Sequence, residues 1–214
     1  MDSEQANAFA QVALDIEGAR QFHGHSCPGL SIGIRVSEAA LREIGPHSSD
    51  EEVACITEAD HCAVDAIQFL TGCTFGKGNL IHKDYGKSVF TFLRRSDGKA
   101  VRIAARANFG GPPDPREQEI FDRMRAGEPV TDEERAYFDQ SRGRRIEAIL
   151  SAPLEDLFEI RDVEVEMPEK ARILASVVCS ECGEASMASR MHYFYGQAFC
   201  TPCFEMLSQE VEDK

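Results

Sequence analysis

Two groups of cysteines and histidines are spaced for metal coordination. The first lies near the C-terminus. There Cys179-Ser180-Glu181-Cys182 and Cys200-Thr201-Pro202-Cys203 form two CxxC knuckles with 17 residues between them. A tetrahedral zinc takes four thiolates at about 2.3 Å, and each CxxC turn offers two of them. The spacing matches the C-x2-C-x15–20-C-x2-C pattern, so a structural zinc on all four thiols is expected. Disulfides or free thiols are the alternatives, and nothing else in the chain points to an oxidising compartment.

The second group lies in the first third of the chain. His23, His25 and Cys27 alternate across a break between two helical stretches. Cys62 opens a further helical stretch, and Asp65, three residues on, shares its helix face. Imidazole nitrogen and thiolate sulfur suit zinc, iron or copper. A helix N-terminus favours thiolate, which is expected at both Cys27 and Cys62. On spacing alone two readings stay open. One is a second metal site. The other is a reactive thiol, Cys27 or Cys62, with His23 or His25 as base. Cys55 alternates with apolar residues and reads as core, Cys73 is open to the same reading, and His47, His61 and His82 read as ordinary surface or helix-start histidines.

The elements that must position these groups follow from pattern and punctuation. Ser3 to about Phe22 has a helical period. A second helix starts at Cys27-Pro28, with proline at its first position, and ends at Ile44 before Gly45-Pro46. Its apolar residues cover most of the circumference. Gly29, Gly33 and Ser37 form a stripe that permits close backbone approach, either across a subunit interface or within the fold. Glu52–Thr57 reads as a strand, and Asp60 as the N-cap of a helix over His61–Leu70. A glycine-rich loop, Gly72 to Asn79, follows. It lacks the helix and Ser/Thr that a Walker loop places at its lysine, which excludes nucleotide hydrolysis. Ser88–Arg95 and Ala100–Ala107 read as a hairpin about Ser96-Asp97-Gly98-Lys99. Two polar helices are expected near Arg116–Arg125 and Asp132–Leu150, the second opened by a Thr131–Glu134 capping box. A strand near Asp156–Val165 completes four. A core domain over 1–166 and a zinc-ribbon module over 167–214 are expected, joined near Pro168–Ala171.

The 214 residues carry a net charge of −14, which argues against non-specific nucleic-acid binding. Between Gly76 and Arg106, however, eight basic residues face only Asp84 and Asp97. That segment reads either as a charged hairpin edge or as a surface for an anionic small ligand or an acidic partner. No stretch is long and apolar enough to span a bilayer. The acidic, polar start Met1-Asp2-Ser3-Glu4 is unlike a secretory leader, so a cytoplasmic location is expected.

Three motifs taken together resemble the FmdE family, which takes its name from formylmethanofuran dehydrogenase. They are Phe22-His23-Gly24-His25-Ser26-Cys27-Pro28-Gly29-Leu30, Cys62-Ala63-Val64-Asp65-Ala66-Ile67-Gln68, and Thr71-Gly72-Cys73-Thr74-Phe75-Gly76-Lys77-Gly78-Asn79-Leu80. The resemblance runs over roughly residues 10–165. The tail is similar to the ribbon that many members carry, with knuckles like those of DksA/TraR-type fingers. The resemblance implies an α+β core, helices packed on a small mixed four-stranded sheet with a helical insertion, pairing into a homodimer, and a metal near the His-x-His-x-Cys and Cys-Ala-Val-Asp motifs. It makes His23, Cys27 and Cys62 the preferred core ligands of a second transition metal, zinc by default. It makes His25, Asp65 and Cys73 nearby ligands, proton carriers or orienting groups, and puts Lys77 and Asn79 at the pocket rim, where a ligand would bind. The family's redox chemistry belongs to a molybdenum or tungsten cofactor on other polypeptides, and this chain has no run resembling a pterin-binding or ferredoxin segment. Three functions follow: an accessory protein for a molybdenum- or tungsten-dependent oxidoreductase, a stand-alone metalloenzyme with an open coordination position, or a zinc-finger regulator.

Overall fold

The computed structural model describes residues 15–47, 50–107, 114–172 and 174–212. The chain divides into two compact units, Met1–Lys170 and Ala171–Lys214. The first is an α+β unit. Its helices are α1 (15–23), α2 (Pro28–Glu43), α3 (Ala63–Thr71), α4 (Pro115–Arg125), α5 (Asp132–Ser151) and the single turn α6 (Leu154–Leu157). Its strands are β1 (Val53–Thr57), β2 (Leu80–His82), β3 (Val89–Arg94), β4 (Ala100–Ala105) and β5 (Phe158–Asp162). The helical reading of residues 3–14 lies outside the described residues.

The sheet order is β2-β1-β3-β4-β5. It is mixed because β1 and β2 run parallel, with Cys55 opposite Leu80, while every other pair is antiparallel. The sheet thus has one strand more than the four expected. β2 is three residues long, too short for alternation to show, and forms because its neighbour β1 supplies partners. One sheet face carries Cys55, Phe90, Phe92, Val101, Ile103 and Phe158 and buries them against Ile32, Val36, Ala39 and Ala40 of α2 and Ile67 of α3. The other face carries Ile56, Leu93 and Ala100, covered by Val163 and Met167 beyond β5. Central strands buried on both faces explain why β1 is inaccessible along its whole length.

Helix α2 is the pivot. Pro28 starts it, and Ile44 and Gly45 (φ +127°) end it. It is buried nearly all round, packing on α3 and α5 as well as the sheet. Glu38, 4 % exposed, is held between Arg35 and Arg42, and Arg35 also donates to the Ala152 carbonyl at the end of α5. The close-approach stripe acts within the fold. A Cβ on Gly33 would lie 2.2 Å from the carbonyl oxygen of Ala63 and 2.6 Å from its Cα. α2 therefore rests on the backbone of the first residue of α3.

Asp60 does not cap α3. The N-cap position is Cys62, after a turn in which Val64 N–H donates to the His61 carbonyl (2.9 Å) and Ala63 N–H donates to His61 Nδ1 (3.3 Å). The imidazole takes the free N–H that the carboxylate was expected to take. By contrast, the Thr131–Glu134 capping box forms on α5, each side chain accepting from the other residue's backbone.

The second unit contains two hairpins, β6 (Ser176–Val178) with β7 (Ala185–Met187) and β8 (Met191–Phe194) with β9 (Gln197–Cys200), then α7 (Thr201–Glu212). Its small apolar cluster consists of Cys179, Cys200 and Cys203 with Met191 against them. A unit of this size buries little else, so its stability must come from what joins the thiols.

Candidate metal centres

The core centre forms where α1, α2 and α3 meet. α1 closes at Gly24, whose N–H donates to Arg20 O (2.9 Å). Gly24 has φ +88°, a left-handed turn that glycine takes without penalty. That turn folds His25 back beside His23, their ring centroids 4.5 Å apart. Cys27 is the N-cap of α2, and its Sγ accepts from Leu30 N–H at 3.3 Å. Cys62 arrives from across the α2–α3 contact. A Cβ on Gly29 would lie 3.1 Å from Cys62 Cβ, 3.7 Å from Cys62 Sγ and 3.9 Å from Cys27 Sγ. The missing side chain at Gly29 is thus what lets the two thiols share one space.

His23 is fixed from both sides. Its Nδ1 lies 2.7 Å from Asp65 Oδ2, and its Nε2 lies 3.8 Å from Cys27 Sγ. A carboxylate at Nδ1 selects the tautomer with the proton there and leaves the Nε2 lone pair aimed at Cys27, the arrangement typical of a ligating histidine. The ligand atoms of His23, His25 and Cys27 all lie within 4.8 Å of one another. In a tetrahedral site an imidazole nitrogen and a thiolate sulfur stand about 3.5 Å apart, so the 3.8 Å separation of His23 and Cys27 needs little adjustment. The donor set fits a borderline or soft divalent ion. The thiolate expected at Cys62 is corrected for the metal-free protein: burial, then its hydrogen bond with Cys27, pushes the Cys62 thiol up. A bound cation would favour the thiolate at Cys62 and offset that burial.

The ribbon centre is more crowded. The sulfurs of Cys179, Cys182, Cys200 and Cys203 lie within 4.8 Å of one another, and Cys182 and Cys200 are 3.8 Å apart. Gly183 (φ +74°) closes the first knuckle by donating its N–H to Cys179 O at 3.1 Å. Backbone N–H groups, that of Cys200 first at 3.3 Å, bring the Cys179 thiol down to about 6. Contact with Cys200 pushes Cys203 up to about 12.

Three expected site residues lie elsewhere. Cys73 is fully buried in the main core, donates to Val53 O at 3.5 Å, and is pushed up to about 11 by burial. Asn79, also fully buried, is a structural clamp. Its amide donates to Val53 O (2.8 Å) and Gly72 O (3.3 Å) and accepts from Thr74 N–H (2.9 Å). Lys77 reaches Asp50 O at 3.5 Å in the same region. All three follow the C-terminal end of α3, whereas Cys62 precedes its N-terminus, and a nine-residue helix separates its ends by about 13 Å. The basic segment is largely committed to internal contacts. Arg94 donates to Ile44 O and Asp97, Arg95 to Glu51 O and Pro168 O, Lys99 to Glu43, Arg102 to Glu58 and Arg106 to Glu155 O. His61 is also engaged, with Nε2 2.9 Å from Ser88 Oγ. The Asp65–His23 bond spans 42 positions. The only trace of it in the chain is the shared helix face of Cys62 and Asp65.

No described helix is long and apolar enough to cross a membrane. Residues 22–159 match the family described as FmdE, Molybdenum formylmethanofuran dehydrogenase operon. The chain is 32% identical over 197 residues to a probable S-adenosyl-L-methionine-binding protein of Archaeoglobus fulgidus, covering 88% of this chain and 53% of that protein. The chain thus spans about half the length of that relative. Its fold is similar to the crystal structure of a tungsten formylmethanofuran dehydrogenase FmdE-like protein from Syntrophus aciditrophicus, at a TM-score of 0.57 and 26% identity over 90% of this chain and 91% of that one. The matched segment 22–159 takes in both the His23–Cys27 turn and Cys62, and the chain belongs to the FmdE family.

Proposed function

We propose that this chain is a metal-binding protein with two centres, and that it serves a molybdenum- or tungsten-dependent oxidoreductase as an accessory or docking partner. The observation that carries the metal reading is the grouping of His23, His25 and Cys27 ligand atoms within 4.8 Å, with Asp65 on the far nitrogen of His23 and Cys62 beside Cys27 over Gly29. Cys179, Cys182, Cys200 and Cys203 would hold a structural zinc in the ribbon. In the core, His23, Cys27 and Cys62 would hold a transition ion, zinc by default, with His25 within reach. A metal bound there supplies Lewis acidity. Asp65 holds the His23 ring and its proton at Nδ1, and Gly29 keeps room for both thiols.

The accessory role takes its support from the family's description and from the name of the Syntrophus relative, both tied to formylmethanofuran dehydrogenase. We further propose a homodimer in the cytoplasm, where eight free thiols stay reduced. A second reading, a stand-alone metalloenzyme, is favoured by one feature: His25 is exposed, so the core site borders solvent. His25 or Asp65 would then carry the proton. The name of the Archaeoglobus relative adds S-adenosyl-L-methionine as a ligand to titrate.

Elemental analysis of the purified full-length protein tests the metal reading. The expected result is two metal equivalents per chain. Cys62→Ala should lose one with the fold kept, and Cys179→Ala should lose the other and unfold only the tail, because metal binding and local folding are coupled there. A Cys62→Ala protein with full metal content would overturn the core assignment. For the accessory role, co-purification with oxidoreductase subunits is the measurement, and a chain that never associates with them would favour the second reading.

A further inference from the structure

The four donors of the core centre differ sharply in how they are held. His23 is clamped between Asp65 (2.7 Å) and Cys27 (3.8 Å), its side chain 10 % exposed. Cys27 is tied to the first turn of α2 through Leu30 N–H. Cys62 is pinned where α3 begins, with its Cβ packed against Gly29. His25 is exposed, and among the described residues nothing hydrogen-bonds to it; its contact is the face of the His23 ring. It also sits one residue past Gly24, whose left-handed backbone has no atom within 4 Å of where a Cβ would be. His25 therefore hangs on a glycine hinge in open space, while its atoms still fall within ligand distance of His23 and Cys27.

We infer that His25 is the exchangeable ligand of the core centre: it closes the site as fourth donor and gives way to an incoming small thiolate. This rests on the core-metal reading above. The ligand class follows from charge and softness. A divalent ion held by two thiolates and a neutral imidazole is formally neutral, so one more anionic donor is tolerated, and a partly thiolate site selects soft donors. The ribbon centre, with four thiolates, already carries excess negative charge and has no position to yield. No chemical step on the thiol is implied; the event is replacement of one donor by another.

The test uses the full-length protein loaded with Co(II), whose visible bands report coordination number and donor set, and 2-mercaptoethanol as probe. Wild type should hold two Co(II) and show a saturable spectral change with the thiol. In His25→Ala the metal content should stay at two and the apparent affinity for the thiol should rise about tenfold or more, because the competing imidazole is gone. Free imidazole added to that variant should restore the wild-type spectrum. An affinity unchanged within about twofold would show that His25 is no ligand. Loss of one Co(II) in His25→Ala would show that it is a fixed ligand, and failure of imidazole to restore the spectrum would also overturn the inference. Failure of the underlying reading looks different: wild type would hold one Co(II), and Cys62→Ala would keep it.

Discussion

Replacing Gly33 with alanine should destabilise the first unit, although the same change elsewhere in a helix stabilises it. Glycine in a helix interior costs about 1 kcal/mol relative to alanine, so propensity alone favours the substitution. Packing reverses the sign. The new Cβ would sit 2.2 Å from Ala63 O, 2.6 Å from Ala63 Cα and 2.8 Å from Ala63 C. Ordinary contact between such atoms is about 3.5 Å, so α2 and α3 must separate by more than about 1 Å. These are backbone atoms at the start of α3, and no rotamer change relieves them. Overpacking of this kind costs about 1–3 kcal/mol. Gly143 in α5 provides the control, since a Cβ there meets nothing within 4 Å. Gly143→Ala should gain about 0.5–1 kcal/mol. The propensity gain is common to both variants, so they should lie about 1–3 kcal/mol apart, with Gly33→Ala at the lower urea midpoint.

The same displacement reaches the metal. Ala63 follows Cys62 directly, so separating the helices moves Cys62 away from Cys27, whereas metal–ligand distances tolerate only about ±0.2 Å. Chelator competition should show core affinity lowered about tenfold or more in Gly33→Ala, with ribbon affinity unchanged. Gly29→Ala grades the effect. Its Cβ would meet a side-chain atom, Cys62 Cβ, at 3.1 Å, so stability should fall less while the metal is still weakened. If Gly33→Ala unfolded at or above the wild-type midpoint, α2 would not rest on Ala63, and the reasoning that brings Cys27 to Cys62 would be refuted.

Asp65→Ala should keep the fold and lower core metal affinity by about 10–100-fold, read by the same competition, because His23 loses the partner that fixes its ring and tautomer. Cys73→Ala should leave metal stoichiometry unchanged, since its thiol faces Val53 O in the core; loss of a metal equivalent would return it to the site. The acid limb of stability should depend on Glu134. Its hydrogen bond with Arg123, then the Thr131 N–H, holds its carboxyl down to about 2. A carboxyl that is more acidic in the folded state binds its proton more readily when unfolded. Its contribution is therefore complete above the ordinary carboxylate range and is lost as pH falls towards about 2. Glu134→Gln should flatten the urea midpoint between those limits, and an unchanged acid limb would count against the Arg123 pairing.

Local signals in this chain predicted elements whose causes are themselves local. Pro28 and Gly45 bracket α2, Thr131 and Glu134 open α5, and Asp97-Gly98 turns the β3–β4 hairpin. Features with distant causes were not legible. β2 exists because β1 offers a parallel partner, and no three-residue pattern announces it. The helix-start signal at Asp60 failed because His61, one residue later, satisfies Ala63 N–H and the chain turns once more before α3 begins. Within the site, residue type pointed to His23, His25, Cys27 and Cys62. Motif proximity in the chain groups Cys73, Lys77 and Asn79 with the site, and it is not proximity in space. α3 stands between the two loops, and its length carries the second loop to the far end. Asn79 shows the consequence, since a polar side chain that looked available for a ligand is spent on four backbone groups.

The two centres stand in opposite relations to their folds. In the ribbon, three of the four cysteines make up the buried apolar cluster, so the metal that joins them would be the core of that unit. In the first unit the main hydrophobic core is built without the site, Cys27 touches only the smaller cluster of Ala19, Leu30, Ile34, Ala66 and Leu70, and Cys27 and Cys62 sit at helix starts that the α2–α3 packing positions. A ribbon stripped of metal should lose its structure, whereas the core centre should lose its metal and keep its shape. A centre whose scaffold does not depend on the ion is free to yield a ligand. That freedom is concentrated at His25, where a glycine hinge and the absence of a hydrogen-bond partner among the described residues meet. On this reading the ribbon sulfurs serve stability, and exchange at the core centre falls to the His25 imidazole while Cys27 and Cys62 stay fixed.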